Sequence, residues 1–159
     1  MKKELTVKIE GTVTVEAGLD KVWAAVIDPN LVSQCAPGLK SMEIIEPDKL
    51  FKVVAGIGFG AVMVTFDVDV EWLELREPAF ASMKAHGTAP GSAADVTAEM
   101  RLSKVEELKT QLDWSADVNI VGTIASLASR LMGGITKKLS AAFFDCLKEK
   151  IEEKTSVKA

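Results

Sequence analysis

Few residues of this chain have the types and spacing that chemistry requires. His86 is the lone histidine, the one side chain whose ordinary pKa suits proton transfer near neutral pH, and no nucleophile or partner motif accompanies it. Tyrosine is absent altogether, which removes another common acid–base group. Asp67, Asp69 and Glu71 form an acidic row, and Asp95, Glu99 and Arg101 a mixed one, yet neither brings histidine or cysteine to metal-ligand spacing. Cys35 and Cys146 lie far apart with no CxxC spacing, so two buried thiols are expected. For Cys35, beside Pro37-Gly38, a reactive thiol at a helix end is the alternative. Gly56-Ile57-Gly58-Phe59-Gly60 has glycine spacing like that of a phosphate loop, but it joins two strands and opens no helix. No catalytic residue, no metal ligand and no covalent or metal cofactor is therefore expected.

The elements that position these residues read clearly. Segment 5–15 alternates, with Leu5, Val7, Ile9, Gly11, Val13 and Val15 on one parity and polar residues on the other, the period of a strand with one buried face. Leu19, Val22, Trp23 and Val26 follow at helical steps. Asp28-Pro29 ends that helix and starts a second one carrying Leu31, Val32 and Cys35. Six strands are expected next, near 42–46, 50–55, 62–72, 80–87, 94–102 and 110–120. In the third of these, Val62, Val64, Phe66, Val68, Val70 and Trp72 face one way and Asp67, Asp69 and Glu71 the other, so the acidic row falls on a solvated face. His86 takes the parity opposite to Met83 and Ala85, toward solvent. From 123 to 153 one long helix is expected, with Ile124, Leu127, Ala128, Leu131, Ile135, Leu139, Ala142, Cys146 and Lys150 at three- and four-residue steps.

A run of antiparallel strands closed by one long amphipathic helix implies a bent sheet folded around that helix. The inward positions of the later strands are small: Ala81, Ala85, Gly87, Ala94, Ala98 and Ala116, with Met83 and Met100 among them. Small residues there either leave volume for a ligand or let the helix approach closely. The Gly56-Ile57-Gly58-Phe59-Gly60 segment reads as a hydrophobic hairpin tip: a gate, a partner-touching finger, or a tip tucked onto its own core. Gly133-Gly134 interrupts the long helix at a cost of ~2 kcal/mol in propensity, which a kink, a mobile front half or tight packing would offset. Arg130, Lys137 and Lys138 are the candidates for a small basic patch toward anionic lipid heads or an acidic partner.

Composition sets the remaining bounds. With 159 residues, 48% apolar and 26% charged, the chain reads as one globular domain over 1–154 with a short disordered tail at 155–159. A net charge of −4 argues against nucleic acid as a partner. Neither an apolar leader nor a membrane-length apolar run is visible, so a cytoplasmic location is expected, with at most peripheral contact at the inner face of the cell membrane.

The chain resembles the CoxG family, named for the G-subunit of carbon monoxide dehydrogenase, within the START-like (SRPBCC) superfamily. The resemblance spans about residues 10–150. It is carried by Val22-Trp23-Ala24-Ala25, by Asp28-Pro29 through Cys35-Ala36-Pro37-Gly38, and by the small residues at 87–94. Gly122 and the Ser129-Arg130-Leu131-Met132-Gly133-Gly134 helix segment add to it, with Lys138-Leu139 and Phe143-Phe144. It implies an α+β helix-grip fold: a seven-stranded antiparallel curved sheet around a long C-terminal helix, with two short helices after the first strand, over a deep hydrophobic cavity. It further implies a non-catalytic role, holding a quinone- or lipid-like molecule for a molybdenum hydroxylase of the carbon monoxide dehydrogenase type. Positions expected to line the cavity are Trp23, Phe66, Met83, Trp114, Leu127 and Leu131, joined by Ala85 from the sheet and Ile135 from the helix stripe. Ile57, Phe59 and Ile124 are expected at its mouth.

Overall fold

A computed structural model describes residues 4–156 of the chain, with the side chains of 153–156 outside the description. Strand β1 (Glu4–Val15) leads into helices α1 (Leu19–Val26) and α2 (Pro29–Cys35). Six strands follow: β2 (Leu39–Glu46), β3 (Leu50–Phe59), β4 (Val62–Arg76), β5 (Phe80–Ala89), β6 (Ser92–Glu106) and β7 (Lys109–Gly122). Helix α3 (Ala125–Ser156) closes the chain. All seven strands form one antiparallel sheet in the order β1-β7-β6-β5-β4-β3-β2, the helix-grip arrangement expected from the sequence. The tail expected at 155–159 begins inside α3, which continues to Ser156; residues 157–159 lie outside the described residues.

Local chemistry explains the boundaries. Asp28 caps α2, its carboxylate accepting from the Asn30 backbone N–H at 2.9 Å, with Pro29 in the first turn. Gly122 turns the chain from β7 into α3 at φ +105°, where a Cβ would lie 2.1 Å from the Gly91 carbonyl oxygen. In β4 the alternation holds through Trp72 and then slips: a bulge between Trp72 and Glu74 leaves Leu73 49% exposed and brings Leu75 inward.

Two expectations are corrected. Residues 56–59 are paired strand at the end of the β3–β4 hairpin rather than its turn, and Ile57 and Phe59 face inward onto the front core, so of the three readings the tip tucked onto its own core is the one observed. The turn falls at Gly60, φ +67°. The cysteines are not free thiols: Cys35 of α2 and Cys146 of α3 form a disulfide with Cα atoms 5.4 Å apart. Their separation of 111 residues concealed a contact created by α2 packing across α3. The bridge also bears on the expected compartment, since a reducing cytoplasm holds such pairs as thiols.

The helix stripe is corrected as well. Its front half follows the expected positions, with Ile124 and Ala128 buried, and Ala125, outside the expected stripe, is buried beside them. Behind Leu139 the stripe drifts: Ala142 is exposed, and the buried rear residues are Leu147 and Ile151. The core is accordingly in two parts. A front cluster joins Phe59, Phe66, Val118 and Ile120 to the first turns of α3. A rear cluster joins Val22, Trp23, Leu31, Leu102 and Leu112 to the last ones.

Candidate functional site

Between the sheet, α2 and the rear half of α3 lies a cavity of about 410 Å³, within the range of small-molecule sites. Its walls are apolar. The sheet contributes Phe51, Val70, Trp72, Ala81, Met83 and Ala98, α2 and its C-cap contribute Val32 and Ala36, and α3 contributes Phe143, Phe144 and Leu147. Ala81 and Ala98 sit on the concave face where full-sized side chains would close the space, so the small-residue rows of β5 and β6 produce volume here. The disulfide pins the α2 wall to the α3 wall, because Cys35 sits between Val32 and Ala36, and Cys146 next to Leu147.

Of the residues expected to line a cavity, Met83 and Trp114 are on its wall. Trp23 is 4% exposed in the rear core beside it, and Ala85 is half-buried in β5 between Val70 and Val96, off the wall. Phe66 belongs to the front cluster, with Leu127, Leu131 and Ile135 packed against it. The three mouth residues are there too: Phe59 is 3% exposed, Ile124 8%, and Ile57 is partly buried. They form a closed core rather than a mouth. At this end the small residues serve close packing, as at Gly87, where an added Cβ would lie 3.3 Å from Val68 and 3.4 Å from Phe66. Parity identifies the concave face correctly but not the position along it. The cavity walls from α2, β2 and β3 carry no sequence signal, whereas the Phe143-Phe144 pair, breaking the single stripe, does.

The polar groups lie outside. His86 Nδ1 is 2.6 Å from Asp95 Oδ1 across β5 and β6, with both side chains more than half exposed. Lys52 bridges Asp69 at 2.7 Å, and that carboxylate raises the lysine pKa. Asp113 accepts from Thr12 Oγ1 at 2.7 Å and from Gln111, and these bonds hold its carboxyl below the ordinary range. Glu99 is the titratable residue along the cavity wall, and its carboxylate meets Arg101 at 3.6 Å on the outer side of β6. No group of three or more His, Cys, Asp or Glu among the described residues converges as a metal site. Nor is any helix among them long and apolar enough to cross a membrane.

A family model for the carbon monoxide dehydrogenase G-subunit (CoxG) matches residues 11–152. The chain belongs to this family. No curated protein matches it. Among solved structures it is similar to a conserved protein from Geobacillus kaustophilus, at TM-score 0.85 and 24% identity over 92% of this chain and 96% of that one. It is also similar to the Zhui aromatase/cyclase from Streptomyces sp. R1128, at TM-score 0.73 and 19% identity, covering 96% and 98%. Norcoclaurine synthase from Thalictrum flavum, solved with dopamine and hydroxybenzaldehyde, follows at TM-score 0.65 and 14% identity, covering 95% and 89%. At these identities the likeness is one of fold. This CoxG-family chain thus sets its glycine, proline and aromatic blocks on a scaffold that other proteins use for enzymes.

Proposed function

We propose that this CoxG-family protein is a non-catalytic carrier for a hydrophobic small molecule of quinone or lipid type. It serves a molybdenum hydroxylase of the carbon monoxide dehydrogenase type, by membrane recruitment or by delivering an electron acceptor. The observation that carries the reading is the apolar cavity beneath the α2–α3 disulfide. Removing a ligand's apolar surface from water there supplies about 25 cal/mol per Å², with no need for a charged partner. The competing reading, a cyclase- or dehydratase-type enzyme, has the fold likeness in its favour. It needs an acid–base pair on the cavity wall, and His86 and Asp95 pair on the opposite face.

The test is native mass spectrometry and solvent extraction of the purified protein, followed by menaquinone titration against tryptophan fluorescence. Trp72 and Trp114 both line the cavity, so saturable quenching is expected. No extractable ligand and no quenching would overturn the carrier reading. Co-purification with dehydrogenase subunits that survives filling the cavity with Ala98→Leu would favour a ligand-free assembly factor instead.

A further inference from the structure

A second recess, of about 900 Å³, runs between the outer edge of β1 and α3. The edge is unpaired among the described residues, because β1 hydrogen-bonds only to β7. The recess and the cavity share just two lining residues, Trp114 and Phe144. Their rings stack with centroids 5.7 Å apart and planes 30° from parallel. The pair is therefore the wall common to the apolar cavity and the groove. Trp114 reaches this position because Gly11 is its cross-strand partner: a Cβ at Gly11 would lie 2.8 Å from the indole Nε1. The indole thus lies across β1 with its N–H toward the strand that borders the groove.

The groove differs in chemistry from the cavity. Lys8, Lys137 and Lys148 border it, with Glu10 and Asp145. Thr136 borders it too, and its hydroxyl is a buried side-chain oxygen without a hydrogen-bond partner among the described residues. No described side chain accepts from the Trp114 indole N–H. Gly133 also lies on this wall, and neither it nor Gly134 has any atom within 4 Å of an added Cβ. Tight packing does not account for these helix-interior glycines, whereas an unobstructed groove accounts for Gly133.

Resting on the carrier reading, we propose that the cargo is an amphiphile entering through the β1–α3 groove past a Trp114–Phe144 door. Its apolar part fills the cavity, and an oxygen at its polar end takes the Trp114 indole N–H, with the Thr136 hydroxyl as a second partner. A quinone ring and an ester-linked acyl chain both offer such a carbonyl.

The experiment compares menadione, its carbonyl-free analogue 2-methylnaphthalene, and methyl dodecanoate, by stopped-flow fluorescence and calorimetry on the full chain. Gly133→Leu, which has room to fold, is expected to slow association at least tenfold. Phe144→Ala is expected to speed both association and dissociation at least fivefold. Trp114→Phe keeps the ring contact and removes the N–H, so it is expected to weaken a carbonyl probe about five- to tenfold, the size of one hydrogen bond, and to leave 2-methylnaphthalene unchanged. The carbonyl probe that loses more identifies the source. If wild type binds no probe, the carrier reading fails. If the probes bind and Ala98→Leu blocks them, but rates in Gly133→Leu and Phe144→Ala stay within twofold, the door is overturned. Equal losses for all three probes in Trp114→Phe would overturn the polar-end assignment.

Discussion

The front half of α3, residues 125–135, lies directly on the sheet, whereas the rear half, residues 143–151, spans a void. Both halves face rows of alanine and glycine on the same strands. At the front, Gly87 and Ala116 make room for Phe66 and for the approach of Ala125 and Ala128, which are 2% and 0% exposed. At the rear, Ala81 and Ala98 face α2 and the Phe143-Phe144 pair, and the space stays open. Small residues on a curved sheet therefore do not mean a cavity by themselves. What opposes them decides: alanines on the helix bring the backbones together, and bulky aromatics on it hold them apart.

The largest effects should separate the two halves. Phe66→Ala removes a 5%-exposed ring from the closed front core and is expected to cost about 3–5 kcal/mol in urea unfolding. Met83→Ala, at the cavity wall, loses a side chain that already lacks partner atoms on one side, and should cost about 1 kcal/mol while weakening ligand binding. Equal costs would mean that the cavity is collapsed in solution.

Next in size is the disulfide, which belongs to the rear half alone. Opening a loop that spans 111 residues by Cys146→Ser is expected to lower stability by about 2–4 kcal/mol. Hydrogen exchange should rise in α2 and the rear of α3 and stay unchanged around Phe59 and Phe66. A uniform rise would contradict the division into two cores.

How much of this division is legible in the sequence depends on what each signal measures. Period two in β1, β4 and β7 reports which face of each strand is buried; the outward acidic row follows from it in β4, and the outward His86 from the parity of Met83 and Ala85 in β5. Alternation says nothing about where along the sheet a helix stands off, and the family resemblance alone sets Phe66, Leu127 and Leu131 at a cavity that lies at the other end. The α2 wall depends on a long-range packing of two helices, and only the Cys35–Cys146 bridge records it. The glycines of Gly56-Ile57-Gly58-Phe59-Gly60 suggest a turn, but pairing with β4 and burial of Phe59 outweigh local propensity.

A smaller effect tests the open side of α3. Gly134 is exposed, continues the helix and meets nothing within 4 Å of an added Cβ. Gly134→Ala should therefore stabilise the protein by about 1 kcal/mol, through helix propensity alone, and raise the thermal midpoint. Destabilisation would show that the glycine pair is needed for a bend.

The smallest expected effect lies on the outer face, beside the cross-strand pair Gly11–Trp114. There Thr12 of β1 donates to Asp113 of β7 at 2.7 Å. This bond and those from Gln111 hold the Asp113 carboxyl below its ordinary pKa. A depressed folded-state pKa means that the unfolded chain takes up the proton first. The contribution is therefore complete above the ordinary carboxylate value, about 3.9, and is lost as pH falls through the folded-state value. Asp113 is solvent-facing, so the gain is small. Urea unfolding of wild type and Asp113→Asn should differ at neutral pH and converge as the solution is acidified below about pH 3, past the ordinary carboxylate range. A gap that persists there would show that the amide disturbs the strand pairing itself. The titrating bond would then not be what ties β1, the more exposed border of the groove, to the sheet.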